Sequence, residues 1–437
     1  MSISIHTHDP MPISTLWPAR ILKRDFEIDL GKMLQPLQSA DVETEEFYLR
    51  SANVHWDGVD LSDVKTMWFS PDEKRDLLLR EGDLVVNEGG DVGRCAIWQG
   101  TQAPHYFQNA INRVRARTAA STRFLYYWLY NLKHAGFIDA MVSRITIAHL
   151  TAEKLARVPW PDVPAVDQQR IAAYLDANCA AIDAAVSAKR RQLDTLDALR
   201  KSIIQRAVTQ GLNPKVKLKQ SGLDWATEVP EHWKVQQIKR NCNLVRGQFT
   251  HRPRNDPALY DGPYPFIQTG DITAAGKYIR TYSQTLNELG LNASKQFPRG
   301  TLVMSIAANI GDVAILDFEA CFPDSMIGMI PGHKAHLDFL YYLMRSMREI
   351  MLRAAVQSTQ LNLNYVRIGT NFAPFPPLEE QRAIAEYLDA KEIESHRISE
   401  TIQAQIDTLT AYRKSLIHEC VTGQRRVSEA EVGVRPN

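Results

Sequence analysis

The sequence predicts an α/β (α+β) molecule built twice over: two globular mixed α/β domains joined by two long coiled-coil helices, with an internal pseudo-twofold repeat. Two observations predict it. First, Asp167-Gln-Gln-Arg-Ile-Ala-Ala-Tyr-Leu-Asp-Ala177 recurs as Glu380-Gln-Arg-Ala-Ile-Ala-Glu-Tyr-Leu-Asp-Ala390. The offset between Gln168 and Gln381 (381 − 168 = 213) holds without a gap through Arg200-Lys-Ser202 against Arg413-Lys-Ser415 and Val208-Thr209 against Val421-Thr422. Second, each repeated stretch has the period of a helix, whereas the residues before it run in short, β-branched apolar segments punctuated by Gly, Asp and Asn.

The helices follow from an apolar seam stepping by threes and fours. In the first copy it runs through Ile182, Val186, Leu193, Leu196, Ile203 and Ala207, and in the second through Ile402, Ile406, Leu409, Leu416 and Cys420. Pro159, Pro161 and Pro164 precede the first helix, Pro374, Pro376 and Pro377 the second, and Gly211 and Pro214 end the first. Each helix could simply pack on its own domain. Two copies of equal length favour pairing with each other.

The globular parts also repeat, with small shifts in offset. Trp17 to Gly31 parallels Trp233 to Gly247, Glu81-Gly-Asp-Leu-Val-Val86 parallels Arg299-Gly-Thr-Leu-Val-Met304, and Phe124-Leu-Tyr-Tyr127 recurs as Phe339-Leu-Tyr-Tyr342. One helical stretch is expected near Phe124 to Val142 and another near Phe339 to Val356, against a small bent sheet. The expected division is 1–163 for the first globular domain, 164–213 for the central helix, 214–376 for the second domain, and 377–437 for the C-terminal helix and tail.

At 437 residues the chain exceeds one compact core, and lysine and arginine nearly cancel aspartate and glutamate for a net charge of +1. A nucleic-acid partner would therefore be held by local patches rather than by a global polycation. The five cysteines are scattered without a Cys-x-x-Cys pair, which speaks for a reducing cytoplasm and against a structural zinc site. No signal segment and no apolar run of membrane-spanning length is expected.

A search for chemistry returns little. Gly270-Asp-Ile-Thr-Ala-Ala-Gly276-Lys277-Tyr278 has five residues between its glycines where a Walker loop has four, and Tyr278 stands where magnesium needs a hydroxyl of Ser or Thr. It reads as a turn. Gly89-Gly-Asp-Val-Gly93 lacks the order of a dinucleotide loop, and His6 with His8 lies in a tail. There is no His-Glu-x-x-His, no Gly-x-Ser-x-Gly and no Asn-Pro-Pro or Asp-Pro-Pro motif. The expectation is a chain with no catalytic residues and no metal site.

What the globular parts do carry is side chains suited to base edges and phosphates. The candidates are Asn87, Arg94, Gln108, Asn109, Asn112, Arg113 and Arg115 in the first, and Arg246, Gln248, Arg252, Arg254, Asn309 and Asn362 in the second, with Arg117, His251 and Asn364 alongside. Arginine can pair bidentately with guanine, and asparagine or glutamine with adenine. A solvated strand or loop surface explains the same residues.

With its two Glu/Asp-Gln-x-x-Ile-Ala-x-Tyr-Leu-Asp-Ala helices, each following a proline-rich exit, the chain resembles the specificity subunit of a Type I restriction-modification enzyme. The lead-in Val229-Pro-Glu-His-Trp-Lys234 and the Arg-Lys-Ser endings add to the likeness, which covers nearly the whole chain. The resemblance implies two target-recognition domains, held apart by the two long helices packed antiparallel, each contacting one half of a split, asymmetric site in double-stranded DNA. It also implies two methyltransferase subunits that use S-adenosylmethionine on adenine, and restriction and translocation subunits that use ATP and magnesium, with no cofactor on this chain. Forty-odd helical residues at ~1.5 Å each give a rod of about 60 Å, longer than a DNA turn of roughly 34 Å, so helix length would act as a ruler. The competing readings are a scaffold joining two ligand-binding heads without DNA, and a self-contained nuclease or methyltransferase.

Overall fold

A computed structural model describes residues 15–142, 149–307, 309–356 and 365–432. His6, His8, Asn362 and Asn364 lie outside the described residues. Two compact units emerge, one made of residues 1–190 with 403–437 and the other of residues 191–402. Each combines a globular part with one end of each long helix.

In the first unit, Ala19–Ile21 pairs antiparallel with Pro159–Pro161, so the globular part closes on itself just before its helix begins. Its main sheet is antiparallel, in the order Phe26–Leu30, Ile111–Ala116, Leu84–Asn87, Cys95–Ile97. A smaller sheet sets Thr44–Leu49 between Lys65–Phe69 and His105–Phe107, the latter pairing parallel. The main sheet is covered by an aromatic helix, Thr122–His134, whose first turn is fixed by the Ser121 hydroxyl accepting the Phe124 N–H. Every residue from Phe124 to Leu132 is buried. Gly136, at φ 76°, breaks the expected longer stretch there, and a short helix follows at Phe137–Met141.

The second unit repeats this plan with additions. Lys234–Gln237 pairs with Phe372–Phe375, and the main sheet runs Cys242–Arg246, Met326–Pro331, Leu302–Ser305, Val313–Leu316, with Tyr278–Ile279 added in parallel at the edge. Its aromatic helix is Leu337–Ser346, continued after Met347 by Arg348–Val356. The stretch read as a turn is different in kind: Thr269–Ala274 is a short helix, whose N-terminus is closed by the Asp271 carboxylate accepting the Gln268 N–H at 2.7 Å.

The two long helices are Ala165–Gln210 and Leu378–Thr422. Gly211 and Gly423, both left-handed, end them (φ 77° and 82°). No helix among the described residues is long and apolar enough to cross a membrane. Of the seam positions, Ile182, Ala207, Ile406, Leu416 and Cys420 are buried, whereas Val186, Leu193, Leu196, Ile203, Ile402 and Leu409 are only half-buried. More of the burial lies on a stripe that the seam meets only at Ala207 and Cys420. Ile171, Leu175 and Cys179 join Ile417, Cys420 and Val421 in the core of the first unit under Phe124 and Trp128. In the second unit Ile204, Ala207 and Val208 join Ile384 and Leu388 beneath Phe339 and Tyr342. Packing on the globular part and pairing between helices are both present. Asp183 meets Arg413 at 3.1 Å in the first unit, and Arg200 meets Glu392 at 3.4 Å in the second.

Candidate nucleic-acid interface

The strand Ile111–Ala116 lies between two neighbours, and its alternation decides what its polar side chains can reach. Asn112, on the same face as Val114, is fully buried and donates through Nδ2 to the Leu150 carbonyl at 2.8 Å. On the other face Arg113, 3 % exposed, pairs with Asp29 and donates to the carbonyls of Asp76 (2.8 Å) and Leu78 (3.2 Å). Arg115 grips the Asp83 carboxylate with two bonds of 2.7 and 2.6 Å. Asn87, also fully buried, donates to the Ser51 carbonyl at 3.1 Å. These four are corrections to the sequence reading: a strand covered on both faces turns its polar side chains to internal partners, because a buried unpaired polar group costs ~1–3 kcal/mol. Arg94 is a partial case, donating to the Ser51 carbonyl at 3.3 Å while keeping some exposure. Gln108 and Asn109 remain half-buried at the strand's approach.

The second unit keeps its candidates on the surface. After Arg246 the chain makes a tight crossing at Gly247, whose N–H donates to the Met326 carbonyl, while the Gln248 N–H donates to the Phe322 carbonyl. A Cβ on Gly247 would collide with the Phe322 and Pro323 carbonyls, which explains the glycine there. Around this crossing Arg246, Gln248, Arg252 and Arg254 are all exposed. Asp324 organises two of them: its carbonyl accepts from Arg246 Nε at 2.8 Å and its carboxylate from Arg254 Nη2 at 2.6 Å. Arg252 donates to the carbonyls of Phe249 and His251, both at 2.8 Å. Nearby, the Ala258 N–H and the His251 ring hold the Asp256 carboxyl below its usual range. Asn309, exposed on another loop, donates to the Thr273 hydroxyl at 2.8 Å. Clustered arginines with free guanidinium edges can take phosphates, and the exposed amide of Gln248 can take a base edge. Asp324 gave no signal of its own in the sequence.

The duplicated helix motif has a role that its residue types did not announce. Gln168, 2 % exposed, accepts the N–H of Ser121 at 2.8 Å and donates to the Val163 carbonyl at 2.8 Å. Gln381, 1 % exposed, accepts the N–H of His336 at 2.8 Å and donates to the carbonyls of Pro376 and Lys334, both at 2.9 Å. Ser121 and His336 are the capping residues of the two aromatic helices. Each glutamine therefore ties the start of a long helix to the start of an aromatic one. Two turns on, Asp176 accepts from Tyr127 Oη and Arg123 Nε, both at 2.6 Å, and Asp389 accepts from Tyr342 Oη at 2.6 Å and from Lys277 Nζ at 2.6 and 2.7 Å. Burial, with the aspartates adding to it, pushes the Tyr127 and Tyr342 hydroxyls far up. Lys277, from the stretch resembling a phosphate loop, is thus a docking residue. The repeated motif is a joint between globular part and helix.

Residues 230–408 match the family of the Type I restriction modification DNA specificity domain. Two globular mixed α/β parts, each jointed to a long helix, are the architecture on which that match falls, and the chain is similar to specificity subunits of Type I restriction-modification systems. Among its relatives, a putative Type I restriction enzyme MjaX specificity subunit from Methanocaldococcus jannaschii is 24% identical over 365 residues, 79% of each chain. The EcoBI specificity subunit of Escherichia coli is 21% identical over 353 residues, 78% of this chain and 73% of the other. A chain solved in work on complex assembly and conformational transition of the type I R-M system superposes with a TM-score of 0.73 at 15% identity, covering 95% of this chain and 100% of that one. The HsdS subunit of Thermoanaerobacter tengcongensis gives a TM-score of 0.55 at 16% identity, covering 94% and 97%.

Proposed function

We propose that this chain reads a bipartite, asymmetric site in double-stranded DNA, one half with each globular part, and directs adenine methylation and restriction carried out by partner subunits. The observation that carries this is the doubling of a complete unit whose joints agree while its surfaces differ. Gln168 and Gln381, Asp176 and Asp389 repeat the same bonds, whereas the exposed Arg246-Gly-Gln248 crossing corresponds to Leu30-Gly-Lys32 in the first unit. Different surfaces on equal joints are what two different half-sites require. The chain itself performs no chemistry in this reading; two methyltransferase subunits bring S-adenosylmethionine, and the restriction subunits bring ATP and magnesium. The long helices set the length of the unread gap between the half-sites.

In the first unit Gln108, Asn109 and Arg94 are the remaining candidates for DNA contact; in the second they are Arg246, Gln248, Arg252, Arg254 and Asn309. With partner subunits present, Arg252→Ala and Arg254→Ala each weaken binding to a cognate duplex and lower the slope of log K against log salt by about one. Fluorescence anisotropy across salt concentrations reads both. Wild-type affinity and slope in the double variant remove these arginines from the interface.

A further inference from the structure

The two joints agree in one bond and differ in their cation. In each, a tyrosine hydroxyl donates to an aspartate of the long helix at 2.6 Å, Tyr127 to Asp176 and Tyr342 to Asp389. In the first unit the cation beside that aspartate is Arg123, which belongs to the aromatic helix itself. The repeat puts Asp338 at the matching position, since Phe124-Leu-Tyr-Tyr127 recurs as Phe339-Leu-Tyr-Tyr342. With the charge reversed there, the cation comes from elsewhere in the globular part. Lys277 Nζ meets Asp338 at 2.8 Å and Asp389 at 2.6 Å, and Tyr278 Oη donates to Asp338 at 3.1 Å. His336 also faces Asp338, at 3.9 Å. The Lys277 side chain is only 16% exposed, with the ring centroids of Tyr342, Tyr278 and Tyr341 at 5.4, 5.6 and 5.9 Å.

Lys277 lies between the Thr269–Ala274 helix and the edge strand Tyr278–Ile279, an addition that the four-stranded main sheet of the first unit lacks. Its carbonyl accepts the Ile315 N–H at 2.9 Å, which fastens it to the sheet. The short helix before it holds a loop. Asn309 Nδ2 donates to the Thr273 hydroxyl at 2.8 Å, that hydroxyl donates to Asp312 at 2.9 Å, and Arg348 meets Asp312 at 3.0 Å. A line of bonds thus runs from the loop carrying Asn309, through Thr273 and the segment holding Lys277, to Asp389 on the long helix. The matching Asp91 of the first unit is held instead by Arg94 and Lys133, both at 3.6 Å, from within the globular part.

We propose that Lys277 is a positioning residue, a strut that locks the Asn309-bearing edge of the second globular part to the Leu378–Thr422 helix, so that the unread gap between the half-sites has one length. The inference rests on the two-part DNA reading above, and adds to helix length a second determinant of the gap. A gap one base pair too long or too short is met either by deforming the DNA or by moving a globular part, and the strut closes the second route. Without its ammonium, Asp338 and Asp389 lose the cation they share, and the segment is released from the helix.

The test uses the full chain with its partner subunits. In a methylome, Lys277→Met is expected to keep both half-sites while methylation at gaps one base pair longer or shorter rises about tenfold relative to the original gap. Lys277→Arg, whose guanidinium can span both carboxylates, keeps a single gap. So does Ile368→Ala, which truncates the fully buried core of the same unit and lowers stability alone. A single gap in Lys277→Met, or the same widening in Ile368→Ala, overturns the proposal. Spin labels at the exposed positions of Thr281→Cys and Glu400→Cys read the strut without DNA, because the five native cysteines are buried. Lys277→Met should broaden the distance distribution between them, and an unchanged distribution overturns the strut whatever the methylome shows. A wild-type chain without a two-part motif overturns the DNA reading and the gap with it, whereas the spin-label distances decide the strut separately.

Discussion

At the scale of single residues, the most consequential side chains are the ones that look least specialised. Gln168 and Gln381 were legible as a repeat, but their partners Ser121 and His336 lie 47 and 45 residues away in sequence, and nothing local announces a hydrogen bond at that distance. Gln381→Leu keeps the volume and strands the His336 N–H and two carbonyls; it should cost about 2–4 kcal/mol by urea unfolding of the full chain. Exposed Arg382→Ala next to it should stay within about 0.5 kcal/mol. The cysteines give a second residue-scale expectation. Burial raises Cys179 from 9.0 to about 11, and Cys242 and Cys420 to about 12. The folded chain keeps thiol protons that the unfolded chain releases. That stabilisation is complete below pH 9 and is lost as pH rises through 9 towards 11 and 12. Urea midpoints should therefore fall over that window, with the fall reduced in Cys179→Ala and Cys420→Ala. Residue type alone misled at Asn87, Asn112, Arg113 and Arg115, since it reports what a side chain can bind and not which way a central strand points it.

For the elements, the helical period and proline punctuation made both long helices legible to within a few residues. The seam was legible only in part, because each helix serves two neighbours and a single stripe of threes and fours describes one of them. Ile171, Leu175, Ile417 and Val421, outside the seam, are buried against the first globular part, while Leu196 on the seam is half-buried. Leu416→Ala should therefore destabilise by about 2–5 kcal/mol, as for a core leucine, and Leu196→Ala by about 1 kcal/mol, both read from urea midpoints. Equal losses would mean that the helix seam, not the stripe on the globular part, dominates. The aromatic helices were visible as Phe-Leu-Tyr-Tyr runs, but their breaks were not: Gly136 could be read as a left-handed stop only once its φ was known.

In the whole molecule, near-neutrality hides a division of labour. A net charge of +1 gives no global attraction to DNA, yet Arg246, Arg252 and Arg254 are exposed around one chain crossing, where Asp324 accepts from two of them. The doubling itself was plain in the sequence; the sharing of each long helix between two units was not, because it depends on contacts between residues such as Leu175 and Cys420, far apart in the chain. The doubled unit is the central claim, and it is tested most directly by sequencing the methylome of cells that express this chain with its partner subunits. One two-part adenine-methylated motif with a fixed unread gap is expected, of which only one half changes when the residues before Pro164 are exchanged for those of a relative. A continuous short motif, or a change in both halves, would contradict it.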